Sequence, residues 1–273
     1  MKNNYLILGK GFIGERLSQA FGWPVSTQKI FRYEDILAQI KKYHPEILIN
    51  CIGYTGANNV DDCELDIDKT LSANTFTPLL LAEAAIRNNL KLIHISSGCI
   101  YHYDCTKQKP ISESRRPDYY DLCYSRTKIY AENVLTQLAK KHNILIARIR
   151  IPLDHRPHPK NILTKLIKYK TIIDTPNSVT YVPEFMRALQ HLIKINASGV
   201  FNVVCKGSLT YNKLLDVYQQ YVPDFQYTII PFENLKMKRT NLVLSTRKLE
   251  KTGFKIKPIE AILEECVQEY IKY

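Results

Sequence analysis

The sequence predicts an α/β protein built on a doubly wound parallel sheet, with a smaller C-terminal domain. In the N-terminal half, short apolar segments of strand length alternate with longer segments of helical spacing. Strands that alternate with helices form parallel sheets, whose ligand crevice lies at the carboxyl ends of the strands. Past Pro152 the spacing loosens, because prolines recur as far as Pro183. We therefore expect a Rossmann-type domain over residues 1–155 and a mainly substrate-binding domain over residues 156–273, some segments of which return to the first.

Each element is predicted from its apolar period. Continuous apolar runs predict buried strands at 5–8, 47–50, 92–95 and 144–149. Apolar residues that recur every three or four positions predict helices at 15–21, 34–42, 75–88, 121–141, 182–195, 211–221 and 259–270.

The turn after the first strand, Gly9-Lys10-Gly11-Phe12-Ile13-Gly14, predicts a dinucleotide site. Gly9 permits the tight turn, Gly11 lets a pyrophosphate approach the backbone at the helix N-terminus, and Gly14 lets helix and strand pack closely. The glycine pattern alone is weak evidence. A strand before it and an amphipathic helix after it make the prediction strong.

The segment after Pro24-Val25 favours NADP(H), with NAD(H) as a poorer substitute. The acidic residue that would bind a ribose 2′-hydroxyl, about 20 positions after the glycines, is not evident. The segment instead carries hydroxyl and basic side chains, including Lys29 and Arg32, which suit a 2′-phosphate. A solvated loop is the simpler alternative.

Tyr124 and Lys128 stand four residues apart in a segment of helical spacing, so both side chains leave one face of one helix. A tyrosine hydroxyl has a pKa of about 10, and a nearby ammonium group stabilises the phenolate. The pair therefore suits proton transfer near neutral pH. Because the chain has 18 tyrosines, such a pair also arises by chance, and the glycine turn is what gives it weight.

Composition indicates one enzyme-sized chain without metal or disulfides. The 273 residues are 45% hydrophobic, which is enough for a sizeable core. The seven cysteines contain no Cys-x-x-Cys pair, so neither a disulfide framework nor a zinc site is expected. No apolar run approaches the roughly 20 residues of a membrane span, and the polar start leaves no room for a signal peptide. We expect a cytoplasmic protein with no membrane partner.

The net charge of +12 raises the question of nucleic-acid binding. The lysines and arginines are scattered, with no block of five or six and no RNA-binding signature. We therefore expect no nucleic-acid partner. An anionic small substrate, such as a sugar nucleotide, would account for part of the excess by electrostatic steering.

A further motif, Ser96-Ser97-Gly98-Cys99-Ile100-Tyr101, follows the strand predicted at 92–95 and faces the crevice. With the glycine turn and Tyr124/Lys128, it makes the chain resemble the extended short-chain dehydrogenase/reductases over almost its whole length. In that family a Ser or Thr, the Tyr and the Lys act together, and Ser97 matches the serine by position. One departure is the glycine turn, which is one residue shorter than the family's Gly-x-x-Gly-x-x-Gly.

Six segments in order carry a narrower resemblance, to the nucleotide-rhamnose synthase/epimerase-reductase group related to dTDP-4-dehydrorhamnose reductase. They are 50–56, 59–64, 97–101, 148–152, 161–165 and 175–180. The resemblance implies a bifunctional enzyme that epimerises UDP-4-keto-6-deoxy-D-glucose at C3 and C5 and reduces it at C4 to UDP-L-rhamnose. It also implies a homodimer, and a separate 4,6-dehydratase that supplies the keto sugar.

Epimerisation requires one group that takes a proton next to the C4 ketone and another that returns one on the opposite face. Cys99 lies two residues from Ser97, and the thiol pKa of about 8.5 can fall beside a cation. The resemblance implies that Cys99 is an epimerase residue and that Lys165 is its partner. The simpler explanations are a buried structural thiol and a solvated helix lysine.

The resemblance also suggests further binding residues. Those expected near the cofactor are Gly9, Gly11, Phe12, Ile13, Gly14, Lys29, Arg32, Asn50, Ile52, Gly53, Tyr124, Lys128 and Pro152. Those expected near the sugar nucleotide are Thr55, Asn59, Val60, Glu64, Asn74, Asn161, Asn177 and Arg239, of which Asn161 and Arg239 are candidates for the diphosphate. The alternatives are a structural or proton-relay role for Asn74 and a solvated surface position for Arg239.

Three other functions stay open. The nearest is a dTDP-4-dehydrorhamnose reductase without epimerase activity, which proton–deuterium exchange at C3 and C5 would distinguish. A non-catalytic dinucleotide-binding regulator is disfavoured because Tyr124 and Lys128 are both present. A nucleic-acid-binding protein would bind random oligonucleotides in a salt-dependent way.

Overall fold

The computed structural model describes residues 4–104, 109–235 and 240–273. It forms two compact units. The N-terminal unit comprises the described residues of Met1–Ile100, Pro117–Arg148 and Leu192–Phe201, and the C-terminal unit those of Tyr101–Arg116, Ile149–His191 and Asn202–Tyr273. The segments 101–116 and 192–201 thus lie on the opposite side of the boundary predicted at residue 155. The assignment of cofactor binding to one domain and substrate binding to the other stays a prediction.

The secondary structure confirms the alternation of strands and helices. The strands are β1 (Tyr5–Leu8), β2 (Val25–Ser26), β3 (Ile47–Asn50), β4 (Lys91–Ser97), β5 (Ile144–Ile149), β6 (Pro152–Leu153), β7 (Thr171–Ile173), β8 (Thr180–Tyr181), β9 (Gly199–Asn202) and β10 (Thr228–Ile230). The helices are α1 (Phe12–Phe21), α2 (Tyr33–Tyr43), α3 (Ile67–Leu71), α4 (Thr77–Arg87), α5 (Cys123–Leu138), α6 (Ile162–Tyr169), α7 (Val182–Lys194), α8 (Tyr211–Tyr221), α9 (Arg247–Glu250) and α10 (Leu263–Tyr270).

In the N-terminal unit, one sheet has the strand order β2-β1-β3-β4-β5-β9. β1 pairs in parallel with β2 and β3, and β3 pairs in parallel with β4. The register places Leu8 beside Asn50 and Asn50 beside His94. The turns that follow these three strands therefore lie at one edge of the sheet, as the predicted Rossmann-type fold requires.

Several helix boundaries differ from the predicted ones, among them the start of the helix predicted at 259–270, which begins at Leu263. α1 begins at Phe12 rather than Glu15, because Gly11 is extended and caps the helix. The helix predicted at 75–88 is the end of a longer helical run, which begins with α3 and continues through a π-helical turn at Ser72–Phe76 into α4. A separate 3₁₀ helix at Val60–Glu64 precedes this run.

The core of the N-terminal unit is formed by the apolar runs of its strands together with one face of α4. Leu6 and Leu48 on the sheet and Leu81 on α4 are fully buried in it. Continuous apolar strands of this kind are typical of parallel sheets that helices cover on both faces.

The C-terminal unit has its own core, in which α6, α8 and α10 pack with residues such as Leu166, Leu214 and Val267. Two short parallel pairs, β6 with β8 and β7 with β10, complete it. Among the described residues, no helix is both long enough and apolar enough to cross a bilayer.

Candidate active site

The glycine turn between β1 and α1 has the geometry that the sequence predicts. Gly9 has a φ of +99°, which disfavours any other residue, and a Cβ on it would lie 2.9 Å from the backbone nitrogen of Ile52. A Cβ on Gly14 would lie 2.1 Å from the Gly9 carbonyl oxygen, so only glycine fits there. Gly11 is exposed, and a Cβ on it would meet open space. The backbone at the start of α1 is therefore accessible to a phosphate group.

An open pocket of about 440 Å³ lies between the end of β2 and the start of α2. Its lining residues are Thr27, Gln28, Lys29, Phe31, Arg32 and Asp35. The pocket brings the predicted pair Lys29 and Arg32 together. Sequence reasoning missed Asp35, whose carboxylate accepts the backbone N–H groups of Phe31 and Arg32 at 2.9 and 3.0 Å. These two hydrogen bonds keep the pKa of Asp35 below its usual value.

The predicted Tyr–Lys pair lies near the start of α5. Tyr124 and Lys128 are both buried, one helical turn apart. Burial lowers the pKa of Lys128 to about 8, and the nearby carboxylate of Glu132 is the largest influence in the opposite direction. An ammonium group in this environment is a strong local positive charge beside the tyrosine, because little solvent screens it.

Ser97 is the last residue of β4 and Cys99 lies in the turn that follows it, in the same unit as the Tyr–Lys pair. The Ser97 hydroxyl oxygen accepts the backbone N–H of Cys99 at 3.1 Å. The Ser125 hydroxyl donates to the Cys99 carbonyl oxygen at 2.6 Å, which ties the turn to α5. Half-buried Cys99 also packs against an apolar cluster that contains Tyr124. The structure therefore brings Ser97, Cys99 and Tyr124 together.

The turn after β3 approaches Lys128 closely. A Cβ on Gly53 would lie 3.3 Å from the Lys128 ammonium nitrogen and 3.4 Å from Asn74 Oδ1. The Asn74 amide binds both backbone groups of Tyr54 at 2.9 Å and donates to Thr127 Oγ1 at 3.3 Å. Asn74 thus holds this turn against α5, and its contact with the sugar stays a prediction.

Asn50 corrects a prediction about the cofactor. Its side chain is fully buried and accepts the backbone N–H of Ile52 at 2.9 Å while its amide nitrogen lies 3.0 Å from His94 Nδ1. Burial and the charge of Lys128 lower the pKa of His94 well below its usual value, so neutral His94 can accept this hydrogen bond. Asn50 therefore shapes the turn and does not line the crevice. Ile52 is half-buried and Gly53 is exposed, and their contact with the cofactor stays a prediction.

The predicted sugar-binding residues of the N-terminal unit lie around the 3₁₀ helix. Thr55 and Val60 are half-buried, and Asn59 caps the 3₁₀ helix by accepting the backbone N–H of Asp61 at 2.8 Å. Glu64 uses both carboxylate oxygens within the chain: one accepts the Cys123 backbone N–H at 2.6 Å, and the other pairs with Arg126 at 3.1 Å. The structure thus gives Glu64 a capping role at α5 that sequence reasoning missed.

Two of the predicted substrate-binding residues in the C-terminal unit have amides that the fold already uses. Asn161 is fully buried and caps α6, and its amide makes four hydrogen bonds to the backbone of residues 154–163. Asn177 is also fully buried, and its amide binds Arg150, Leu242, Asn241 and Thr175. Neither amide has a hydrogen-bonding group left for a substrate phosphate.

The other candidates of the C-terminal unit remain predictions. Lys165 is half-buried on α6, and Pro152 is half-buried on β6. Arg239 lies outside the described residues. In the part of the chain that the structure describes, no group of three or more His, Cys, Asp or Glu residues could hold a metal ion.

Comparison with known proteins identifies the family. Residues 15–272 match the family model of the RmlD substrate binding domain. The chain is 30% identical over 269 residues to a bifunctional dTDP-4-dehydrorhamnose 3,5-epimerase/dTDP-4-dehydrorhamnose reductase of Arabidopsis thaliana, a match that covers 92% of this chain and 87% of the plant protein. It is 28% identical over 263 residues to a trifunctional UDP-glucose 4,6-dehydratase/3,5-epimerase/UDP-4-keto-L-rhamnose reductase of the same plant, and this match covers 90% of the chain but 39% of the longer protein.

Solved structures show the same fold. The UDP-rhamnose synthase of Acanthamoeba polyphaga mimivirus superposes with a TM-score of 0.89 at 23% identity, covering 97% of this chain and 98% of that one. The dTDP-4-dehydrorhamnose reductase of Bacillus anthracis, solved with NADP, superposes with a TM-score of 0.83 at 19% identity, covering 100% and 99%. By its family model and by its plant relatives, this chain belongs to the RmlD substrate-binding-domain family.

Proposed function

We propose that this protein is a 3,5-epimerase and NADPH-dependent 4-reductase that converts UDP-4-keto-6-deoxy-D-glucose to UDP-L-rhamnose. The observation that carries the proposal is the grouping of reactive side chains in the N-terminal unit. Ser97 ends β4 and Cys99 follows it, Tyr124 and Lys128 lie near the start of α5, and Ser125 joins the two elements. Membership of the family and the activities in the names of the plant relatives support it.

The glycine turn and the pocket at α2 fit a dinucleotide phosphate. Exposed Gly11 leaves open space over the N-terminus of α1, where backbone N–H groups favour a pyrophosphate. Exposed Lys29 and Arg32 would bind the 2′-phosphate that distinguishes NADP(H) from NAD(H). When bound, NADPH supplies the hydride that the C4 carbon of the sugar receives.

For reduction, Tyr124 donates a proton to the C4 oxygen. Lys128 stabilises the phenolate that this leaves, because its positive charge lies one helical turn away in a buried environment. The Ser97 hydroxyl oxygen already accepts the N–H of Cys99, and so its own proton remains available for a hydrogen bond to the C4 oxygen.

For epimerisation, Cys99 exchanges a proton at one face of the sugar and Lys165 at the other. Removal of the hydrogen at C3 or C5 leaves an enolate, because both carbons flank the C4 ketone. Ser97 and Tyr124 would stabilise that enolate oxygen with the same hydrogen bonds that they use in reduction.

Incubation of the pure protein with UDP-4-keto-6-deoxy-D-glucose and NADPH, followed by NMR of the product, tests the proposal. UDP-L-rhamnose is the expected product, and without NADPH in D₂O the substrate should take up deuterium at C3 and C5. Reduction of an already epimerised dTDP sugar without such exchange would identify a reductase that lacks epimerase activity. Tight binding of NADPH with neither reaction would identify a dinucleotide-binding regulator.

We also infer two partners. A 4,6-dehydratase, one of the activities in the name of the plant trifunctional relative, would supply the keto sugar. A homodimer would cover the apolar side chains that Leu65, Ile67, Phe76 and Tyr130 expose around α3, α4 and α5. Light scattering of the purified protein measures this directly, and a monomer at micromolar concentration would exclude the stable dimer.

A further inference from the structure

Glu132 is a buried carboxylate on the same face of α5 as the Tyr–Lys pair. It follows Lys128 by four residues, just as Lys128 follows Tyr124, and four residues make about one helical turn. Only 2% of its side chain is exposed. The proposed reduction and epimerisation steps do not involve Glu132.

Two strands of the sheet hold this carboxylate. The Ser96 hydroxyl on β4 donates to Glu132 Oε2 at 2.7 Å. Arg148 on β5 donates to Oε1 from Nε at 2.9 Å and also from Nη2. Ser96 directly precedes Ser97, so the same strand end fixes the carboxylate and carries a predicted catalytic hydroxyl.

The free energy of a buried ion pair indicates whether Glu132 and Arg148 serve stability or another role. Removing two charges from water costs several kcal/mol per ion, and apolar side chains of similar volume often join a helix to a sheet as well or better. Stability alone therefore does not distinguish Glu132 and Arg148 from a leucine and a methionine. What the pair adds is a fixed negative charge close to Lys128.

We propose that Glu132 is a positioning residue for the reductase reaction: held by Ser96 and Arg148, its carboxylate keeps the Lys128 ammonium group charged and in place beside Tyr124. This inference rests on the proposed function for the role of Lys128 in reduction.

The surroundings of Lys128 support this inference. The groups that face Lys128 are Glu132 on α5, Cys51 after β3, Cys63 on the 3₁₀ helix, His94 on β4 and Cys99 after it. Arg148 approaches from β5 through Glu132. Burial raises the pKa of Cys51 to about 12 and that of Cys63 to about 11, so both thiols are neutral at pH 7. Glu132 is then the main source of negative charge that opposes the effect of burial on Lys128.

The test compares a charge-removing variant with one that removes both charges. Glu132→Gln leaves Arg148 buried and unpaired, and this variant can fail to fold. Glu132→Leu combined with Arg148→Met replaces both charged side chains with apolar ones, so that no unpaired charge stays buried. Glu83→Gln is the matched control, because Glu83 is an exposed carboxylate that pairs with Arg87 at 2.9 Å on α4.

Two measurements follow Lys128 in each folded protein. The first is the pH dependence of kcat for NADPH-dependent reduction. The second is the titration of the lysine side chains by ¹³C NMR, with the Lys128 signal assigned by its absence in Lys128→Arg. In the double variant both the alkaline limb of kcat and the Lys128 midpoint should move to lower pH by about 1 unit, as expected for loss of a nearby opposite charge. Glu83→Gln should change neither.

A folded double variant in which both the midpoint and the alkaline limb stay unchanged would overturn the inference, even if its kcat falls. A wild-type protein that reduces no nucleotide keto sugar would instead refute the proposed function. The NMR titration needs no substrate, so it would still decide whether Glu132 holds the charge on Lys128.

Discussion

The carboxylate of Glu64 accepts the backbone N–H of Cys123 at 2.6 Å, so a residue of the 3₁₀ helix caps the helix that carries the Tyr–Lys pair. A negative charge at a helix N-terminus compensates the unsatisfied N–H groups and the positive end of the helix dipole. The second oxygen of Glu64 pairs with Arg126 at 3.1 Å. The position of Tyr124 therefore depends on a residue 59 positions away from the start of α5.

Glu64→Ala should lower the free energy of unfolding by about 0.5–2 kcal/mol, the usual cost of losing a cap, and should reduce kcat because Tyr124 lies in the first turn of α5. Urea unfolding followed by the fluorescence of Trp23 measures the first effect. Arg126→Ala is the control, because a surface ion pair contributes about 0–1 kcal/mol and the cap remains. Unchanged stability with a higher KM for the sugar nucleotide would restore the predicted role of Glu64 in substrate binding.

Tyr124→Phe should lower kcat for reduction by about 10²–10⁴-fold, since the phenyl ring keeps the packing but has no proton to donate. Reduction is measured as NADPH oxidation with an already epimerised keto sugar. Deuterium uptake at C3 and C5 should fall less than reduction, because the predicted proton-transfer groups Cys99 and Lys165 are intact and Ser97 still stabilises the enolate oxygen. Near-normal NADPH oxidation would remove Tyr124 from the role of proton donor.

Cys99→Ser and Lys165→Ala should impair epimerisation and spare reduction. A serine hydroxyl is far less acidic than a thiol, so deuterium should no longer enter C3 and C5 in Cys99→Ser. Lys165→Ala should reduce exchange more at one carbon than at the other if the two groups serve opposite faces. Both variants should still bind NADPH and reduce an epimerised sugar. Exchange at wild-type rates in both would show that Cys99 is only a packed thiol.

Lys29→Ala combined with Arg32→Ala should raise KM for NADPH and leave KM for NADH almost unchanged, since only NADPH carries the 2′-phosphate. The control is Lys41→Ala with Lys42→Ala, which removes two exposed charges at the far end of α2. Equal losses with both cofactors would contradict a 2′-phosphate site in this pocket.

Lys128→Met should abolish reduction and stabilise the fold. The pKa of Lys128 falls from 10.5 to about 8 on burial, so charging it in the folded state costs up to about 3 kcal/mol. Between about pH 8 and 10.5 the unfolded chain binds more protons, and wild-type stability therefore rises with pH there. Urea unfolding at several pH values should show the advantage of Lys128→Met at pH 7 and its disappearance above pH 10.5. A Lys128→Met variant that is less stable than wild type at pH 7 would contradict a free-energy cost of charging buried Lys128.

Much of the fold is predictable because its signals are local. The strands at Tyr5–Leu8, Ile47–Asn50 and Ile144–Ile149 lie where apolar runs predict them, since a strand buried on both faces needs an uninterrupted apolar sequence. The short strands β2 and β9 lack such a run and were not predicted. β2 pairs with β1 and β9 pairs with β5, and these strands become neighbours only when the sheet forms.

The sequence by itself determined the parts of the site that are set by spacing. Four residues of helix place Tyr124 and Lys128 on one face, and Gly9 and Gly14 are required by the backbone geometry of a single turn. Tertiary structure alone decided which polar side chains are already used. The amides of Asn161 and Asn177 are occupied by backbone and side chains that the fold brings to them, so the residue type did not reveal their role.

The same reason explains why the hydrogen bonds of Glu132 and Glu64 could not be predicted from the sequence. Glu132 meets Ser96 across 36 positions, and Glu64 meets Cys123 across 59. Hydrogen bonds between residues so far apart in the sequence form only after the parallel sheet has aligned its strand ends and α5 has packed against them. The periodicity of the sequence shows which face of a helix or strand a side chain occupies. The chain topology decides which partner that side chain meets, and the partner sets its charge and chemistry.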